Sequence, residues 1–242
     1  SGVEKIYSPT KRMYTFCIGR FSDMAIALLS RSGIIEFVGL PNLSKISVVE
    51  LLTDPIIGSA IAYGDGYIAV PLSSGKMLLG DEESFLGTAG SFEFLTQTVC
   101  GDIDGDGSVE GVLVDSHLGV SKIYCVDGEK VSLLKEINGT VYGVCVANID
   151  RSGADEIVLN MGTRVEVFGS ANWSVNISEQ LPGIPPTIFD FDNDLSLEVV
   201  VVSAEGTVYI LASNGTVEGR FDIAVVPDLP LIIGDINQDR GA

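Results

Sequence analysis

The chain has 242 residues, of which 46% are hydrophobic and 19% are charged, so it can bury a sizeable core and bulk disorder is not expected. Its formal net charge of −19 would repel phosphate backbones and anionic lipids, which argues against a nucleic-acid partner. No apolar run approaches the roughly 20 residues of a transmembrane helix, so we expect no membrane insertion. Valine and isoleucine dominate the apolar residues and 28 glycines supply turns, which favours an all-β fold.

The first two strand pairs of the chain enclose turns without a binding pattern. Residues Phe16–Leu29 read as an apolar strand, a turn and a second apolar strand, with Arg20 at the start of the turn. Residues Gly58–Val70 repeat that order around a turn whose only carboxylate is Asp65. We expect neither turn to hold a metal ion.

The third turn, Asp102–Glu110, places carboxylates at positions 1, 3, 5 and 9 of a loop that contains glycine. Alternating carboxylates on a sharply curved backbone can converge on one hard cation, and Ca²⁺ takes six to eight oxygen ligands. The flanking segments are short and apolar and read as strands, which excludes the two helices of an EF-hand. The alternative is a polar turn that binds nothing, because Asp and Gly are also ordinary turn residues.

The same pattern recurs further along the chain, and successive loops begin 46, 42 and 45 residues apart. In the loop that begins at Asn148, Ser152 replaces the acid at position 5, which predicts a weaker metal site. We expect Asp155 of the same loop to face solvent. Leu195 stands where the turn prefers glycine, which predicts strain. The candidate ligands are Asp102, Asp104, Asp106, Ser108 and Glu110; Asn148, Asp150, Ser152 and Glu156; Asp190, Asp192, Asp194, Ser196 and Glu198; and Asp235, Asn237 and Asp239.

A period of 42–46 residues with four short strands in each repeat is typical of a β-propeller blade. After each loop come an apolar strand such as Val199–Ser203, a glycine-bearing turn and a third strand. A more polar fourth strand follows, as at Ser47–Leu52 and Ser91–Leu95. The predicted fold is a propeller of antiparallel four-stranded blades, with five complete repeats and a partial sixth. The repeats cover approximately residues 13–55, 56–96, 97–141, 142–184 and 185–228, then 229–242. We expect the remaining blades to come from the same longer chain or from a second subunit.

The loop and strand pattern resembles the FG-GAP/VCBS family of integrin-α-like propeller repeats. The resemblance is carried by Gly101–Val114, which joins the acidic loop to an apolar strand, and by Gly206–Leu211, the Gly-Thr-Val-Tyr-Ile-Leu strand. It implies Ca²⁺ in the loops on one face of a propeller that serves in adhesion or as an interaction platform. The Phe-Gly and Gly-Ala-Pro signatures that name the family are absent.

The preferred function is therefore a non-catalytic, calcium-binding propeller that presents its loops or a face to a protein or glycan partner. No catalytic constellation stands out, because His117 is the sole histidine and is expected in a surface turn. Two alternatives stay open. One is an intracellular scaffold propeller in a trafficking or signalling complex, and the other is an extracellular carbohydrate-active enzyme.

The compartment stays open, and we favour an extracellular or cell-surface location over a cytoplasmic one. Cys17, Cys100 and Cys145 lie in apolar strands, so we expect small buried thiols there. Triplets of the Asn-x-Ser/Thr type matter only in a glycosylating compartment. Such triplets begin at Asn138, Asn172, Asn176 and Asn214.

Overall fold

A computed structural model describes residues 9, 12–13, 15–20, 24–40, 42–50, 60–81, 83, 85–89, 92, 95–192 and 194–223. These residues form twenty strands, and none of them lies in a helix. Accordingly, no helix in this part of the chain is long and apolar enough to cross a bilayer. The predicted all-β class is confirmed.

The strands form five four-stranded sheets, numbered I to V in chain order. Sheet I contains β1 (Thr15–Arg20), β2 (Met24–Leu29), β3 (Ile34–Gly39) and β4 (Ser44–Glu50). Sheet II contains β5 (Ile61–Tyr63), β6 (Tyr67–Pro71), β7 (Met77–Gly80) and β8 (Phe85–Ala89). Sheet III contains β9 (Leu95–Gly101), β10 (Glu110–His117), β11 (Val120–Asp127) and β12 (Lys130–Asn138). Sheet IV contains β13 (Gly143–Ala147), β14 (Glu156–Asn160), β15 (Arg164–Phe168) and β16 (Trp173–Asn176). Sheet V contains β17 (Thr187–Phe189), β18 (Glu198–Val202), β19 (Thr207–Leu211) and β20 (Val217–Asp222).

Within each sheet the strands lie side by side in the order of the chain. Short connections force neighbouring strands to run antiparallel. The turn between the second and third strands has a glycine with positive φ in every sheet, where a Cβ would be strained. These glycines are Gly33, Gly75, Gly119, Gly162 and Gly206, with φ between 76° and 88°. The predicted turns between the second and third strands are confirmed.

The chain divides into two compact units. The first contains residues 1–100, 108–117 and 122–136, and the second contains residues 101–107, 118–121 and 137–242. In the first unit, Ala27 and Phe37 of sheet I pack with Ile68 of sheet II. The opposite face of sheet II places Ala69 against Leu113 of sheet III. Sheet II is therefore covered on both faces, which explains why β6 and β7 are almost continuously apolar.

In the second unit, the shared core lies between sheets IV and V, where Val158 and Val167 pack with Val201 and Leu211. The other face of sheet V carries a second apolar cluster that includes Val200. All five residues of β18 are buried. Both faces of β18 are therefore covered, which explains why its sequence is continuously apolar after Glu198.

Three sequence-based expectations need correction or lie outside the described residues. The fourth strand of sheet II is β8, not Ser91–Leu95, because β8 pairs with β7 along its whole length; Leu95 already begins β9. Cys125 is buried and Cys17 and Cys145 are half-buried, but Cys100 is exposed on β9, an edge strand with one neighbour. The partial repeat over 229–242, with Asp235, Asn237 and Asp239, lies outside the described residues.

Candidate calcium loops

Three of the predicted ligand loops lie where expected, each between the first and second strands of its sheet. They begin at Asp102, Asn148 and Asp190, which we define as position 1 of each loop. Sheet II has only the turn Gly64–Gly66 at the corresponding place, with no set of ligands. In sheet I, most of the corresponding turn lies outside the described residues.

The three loops share one hydrogen-bond pattern, which shows that they adopt the same local backbone. At position 3, one carboxylate oxygen accepts the backbone N–H of position 5. The N···O distances are 3.1 Å from Asp106 to Asp104, 2.8 Å from Ser152 to Asp150, and 3.1 Å from Asp194 to Asp192. At position 1, Asp102 and Asp190 each use Oδ2 to accept the N–H of position 6, at 2.9 and 3.0 Å.

The position 9 glutamates lie at the base of the loops and are buried. Glu110, Glu156 and Glu198 are 3%, 0% and 3% exposed. Oε2 of Glu156 accepts the N–H of Ile149 at 2.8 Å, and Oε2 of Glu198 accepts that of Phe191 at 2.6 Å. A buried carboxylate is costly unless hydrogen bonds or a cation compensate its charge. Glu156 and Glu198 therefore tie their loops to the start of the second strand.

The Asp102 loop brings together three of its predicted ligands. Carboxylate oxygens of Asp102, Asp104 and Glu110 all lie within 4.8 Å of one another. Asp106 and Ser108 are exposed, and Asp106 is not part of that group. The three convergent carboxylates form an all-oxygen donor set, which suits a hard divalent cation.

The Asp190 loop converges in a similar way, through Asp190, Asp192 and Asp194, whose oxygens also lie within 4.8 Å of one another. Oδ1 of Asp190 is buried and has no hydrogen-bond partner among the described residues. Burial raises the pKa of Glu198, and the nearby charge of Asp192 adds to that rise. A buried acceptor without a partner, beside mutually repelling carboxylates, fits the place of a bound cation. Ser196 is half-buried beside this group.

The Asn148 loop has a different arrangement, because a hydroxyl from another hairpin enters it. Ser170, in the turn between β15 and β16, donates its single hydroxyl proton either to Oδ2 of Asp150, at 2.9 Å, or to Oε1 of Glu156. Its Oγ is also 2.7 Å from that of Ser152. Burial would raise the pKa of Asp150, but the hydrogen bonds from Ser152 and Ser170 outweigh it, so that pKa is lowered. Oδ1 of Asn148 is buried without a partner among the described residues.

Position 6 of each loop has a left-handed backbone. Its φ is 90° at Gly107, 103° at Gly153 and 74° at Leu195. Glycine adopts this region freely, whereas a leucine is strained there by contact between its Cβ and the backbone. The Leu195 side chain is 70% exposed, so packing does not compensate the strain. The predicted strain at Leu195 is confirmed.

Asp155, at position 8 of the second loop, does not simply face solvent, and that expectation is wrong. It is half-buried, and its Oδ2 accepts the N–H of Asp102 at 2.9 Å. Its own N–H donates to the carbonyl of Asp102 at 2.6 Å. Position 8 of the first loop is also used in this way, because the carbonyl of Val109 accepts the N–H of Gly64 at 2.6 Å. The sequence feature that could have indicated this contact is Asp155 itself, an additional carboxylate directly before the position 9 glutamate.

No family model matches the chain, and no curated protein matches it. Solved structures do match it. The crystal structure of BBS1N in complex with ARL6DN is 11% identical, with a TM-score of 0.57, over 83% of this chain and 64% of that one. Sqt1 of Saccharomyces cerevisiae is 10% identical, with a TM-score of 0.65, over 89% of this chain and 66% of that one. BamB from Moraxella catarrhalis is 14% identical, with a TM-score of 0.51, over 94% and 79%.

The matched structures are β-propellers, so the five sheets have the fold of propeller blades. At 10–14% identity these likenesses describe the fold and nothing more specific. The chain covers less than two thirds of the length of BBS1N and Sqt1.

Proposed function

We propose that this chain is a non-catalytic propeller module that binds a partner and whose loops are held by Ca²⁺. The likeness to BBS1N, which was crystallised in complex with ARL6DN, supports a protein partner. A glycan partner is a further proposal from the resemblance to integrin-α-like repeats. The observation that carries the calcium part is the buried Oδ1 of Asp190, which has no partner among the described residues beside two other carboxylates.

In this proposal the ions have a structural role. Asp102, Asp104 and Glu110 would hold one ion, and Asp190, Asp192 and Asp194 would hold another. Without a cation, each group places three carboxylates within 4.8 Å, where like charges repel. A divalent cation supplies the compensating charge and fixes the turn between the first two strands.

The partner contacts are proposed for the exposed apolar side chains of the loops. Val109 and Leu195 are 38% and 70% exposed, each at the tip or shoulder of an acidic loop. Bound ions would order these loops before a partner arrives, so the loops would lose less conformational entropy on binding.

Further blades are proposed to pack on sheet I. Phe16 and Ile18 are 62% and 52% exposed and pair with Leu28 and Ile26, so the four side chains share a face. The corresponding face of sheet II is fully covered at Ile68. A sheet of the same repeat type, from a longer chain or a second subunit, would cover this surface.

Thermal unfolding with added Ca²⁺ tests the proposed calcium role. A cation that binds only the folded state increases the free energy of unfolding by about 2.7 kcal/mol at one hundred times Kd, so the melting temperature rises with its concentration. We expect a rise with Ca²⁺, a fall with chelator, and a smaller response in the Asp190→Asn variant. Unchanged melting of the wild-type chain at millimolar Ca²⁺ would overturn the proposal.

A second candidate is a scaffold propeller inside an intracellular multiprotein complex. The likeness to BBS1N favours it, since that structure contains a partner protein. It predicts co-purification of the same partner with wild-type protein in the presence and absence of chelator. Loss of the partner on chelation would favour the calcium-held module instead.

A further inference from the structure

The triplets that can accept an N-linked glycan are more numerous than chance predicts. Besides the four already named, Asn42-Leu43-Ser44 forms a fifth. The chain has nine Asn and 34 Ser or Thr among 242 residues, so random order would give roughly one such triplet. Five of the nine Asn therefore begin a triplet.

The fold places all five at the outer edges of sheets. Every one of these Asn residues is exposed. Asn42, Asn172 and Asn214 lie in the turns before the fourth strands of sheets I, IV and V, and Asn138 and Asn176 end the fourth strands β12 and β16.

The remaining described Asn residues behave differently. Asn148 is half-buried in its loop and Asn160 is 2% exposed, and neither begins a triplet. Among the described residues, every exposed Asn begins a triplet, and no half-buried or buried Asn does. All five triplets thus lie where a transferase could reach them.

The strand β16 gives two of these positions a physical role. It pairs only with β15 in its sheet, so its other edge is open to pairing with a second chain. Natural sheets protect such edges with charged side chains. The fourth strands of sheets I, III and V contain charges, at Lys45, Lys135 and Arg220 among others, whereas β8 and β16 contain none, and of these two only β16 is flanked by triplets. Asn172 and Asn176 stand at its two ends.

We propose that Asn42, Asn138, Asn172, Asn176 and Asn214 accept N-linked glycans, and that those at Asn172 and Asn176 shield the edge of β16. A host transferase forms a bond between Nδ2 and C1 of the sugar. The bond from C1 to a lipid-linked pyrophosphate breaks, the pyrophosphate leaves, and Nδ2 loses a proton. The proposal is independent of the calcium loops and implies passage through a glycosylating compartment.

Glycan release tests the sites directly. Protein isolated from its natural host is treated with peptide N-glycosidase in ¹⁸O-water, which converts each occupied Asn to ¹⁸O-labelled Asp, and is then mapped by mass spectrometry. We expect the label at the triplet positions, Asn172 and Asn176 included, and not at the internal controls Asn148 and Asn160. Absence of label from all five triplets, or from both Asn172 and Asn176, overturns the proposal.

Sedimentation at increasing concentration tests the shielding of β16. Ser174→Ala removes the acceptor triplet of Asn172 without altering that residue, and Ser174→Thr preserves it. We expect the Ser174→Ala, Asn176→Gln variant to self-associate in glycosylated preparations. The matched Asn138→Gln, Asn214→Gln variant should sediment as the wild type does, because charges protect its edge strands. Equal behaviour of the two double variants, with wild-type Trp173 fluorescence in both, overturns the shielding role.

Discussion

Asp155 and Asp102 hold one another by two reciprocal hydrogen bonds, although they belong to successive acidic loops. The Asp102 N–H donates to the Asp155 carboxylate at 2.9 Å, and the Asp155 N–H donates to the Asp102 carbonyl at 2.6 Å. Gly101 leaves room for this contact, since a Cβ there would lie 2.6 Å from Oδ2 of Asp155. The position of Asp102, the first candidate ligand, is thus set partly by the next repeat.

Removing the Asp155 carboxylate should destabilise the chain and weaken calcium binding at the Asp102 loop. A hydrogen bond to a charged group contributes about 1.5–3 kcal/mol, and Asp155→Ala leaves the Asp102 N–H without this acceptor. Urea unfolding with and without Ca²⁺ measures the change. Asp155→Asn is the matched control, because it keeps one acceptor oxygen and should lose less. Identical unfolding midpoints for Asp155→Ala and wild type would contradict the role.

Replacing Leu195 by glycine should stabilise the Asp190 loop. The leucine holds φ at 74° with its side chain 70% exposed, so the substitution relieves strain and loses little packing. We expect a gain of roughly 1 kcal/mol and tighter Ca²⁺ binding by calorimetry. The reciprocal change Gly107→Ala introduces the same strain in open space and should destabilise its loop. A loss of stability in Leu195→Gly would refute the strain argument.

Ser170→Ala should make the Asn148 loop dependent on calcium. The hydroxyl donates to Asp150 or to Glu156, so its removal leaves two carboxylates facing one another. In chelator we expect a loss of about 1–3 kcal/mol, since charged acceptors lose their donor. Added Ca²⁺ should restore more stability to the variant than to wild type. The measurement is the melting temperature of both proteins in chelator and in millimolar Ca²⁺.

Gly215→Ala should disturb the junction of sheets IV and V through the sole tryptophan. A Cβ at Gly215 would lie 2.8 Å from Cε3 of Trp173, whose Nε1–H donates to the Ser213 carbonyl at 2.7 Å. We expect a loss of about 1–3 kcal/mol and a red shift of the tryptophan emission. Gly119→Ala separates backbone strain from the clash, because Gly119 has φ 78° and nothing within 4 Å of a Cβ. Equal losses in the two variants would remove the tryptophan contact from the explanation.

One thiol should react quickly in the native chain. Cys100 is exposed, whereas burial raises the pKa of Cys145 to about 12, and burial with the added charge of Cys100 does the same for Cys17. At pH 8 such groups are thiolate in about one molecule in ten thousand. A disulfide reagent should therefore label one cysteine before unfolding and four in denaturant. Cys100→Ser should abolish the fast phase, and a second fast thiol would contradict the burial pattern.

The fold was predictable because its signals repeat. Each sheet shows the same order of apolar strand, turn, apolar strand and glycine turn, so an error in one repeat is corrected by the others. The misplaced fourth strand of sheet II shows where this fails, since Ser91–Leu95 matched the alternating pattern as well as β8 did. The alternating pattern alone does not determine which of two suitable segments pairs with β7.

The loops were predictable in position but not in their contacts. Alternating acids identified Asp102, Asp104 and Glu110, because ligand spacing is local in the sequence. The roles of Asp155 and Ser170 depend on residues 53 and 14–20 positions away, which no local pattern encodes. The exposure of Cys100 likewise depends on the position of β9 at the edge of sheet III, which the local sequence does not indicate.

In the proposed calcium scheme, the hydroxyl of Ser170 takes the place of an ion at the Asn148 loop. At the Asn148 loop a neighbouring hairpin donates one hydrogen bond to the acids, and Ser152 stands where the Asp102 loop has an acid, so one negative charge fewer needs compensation. The turn Gly64–Gly66 has no set of ligands and makes one backbone hydrogen bond to Val109. In the proposed calcium scheme, the Asp190 loop, the Asn148 loop and the turn Gly64–Gly66 form a series from an ion-held turn to one held by polypeptide contacts alone.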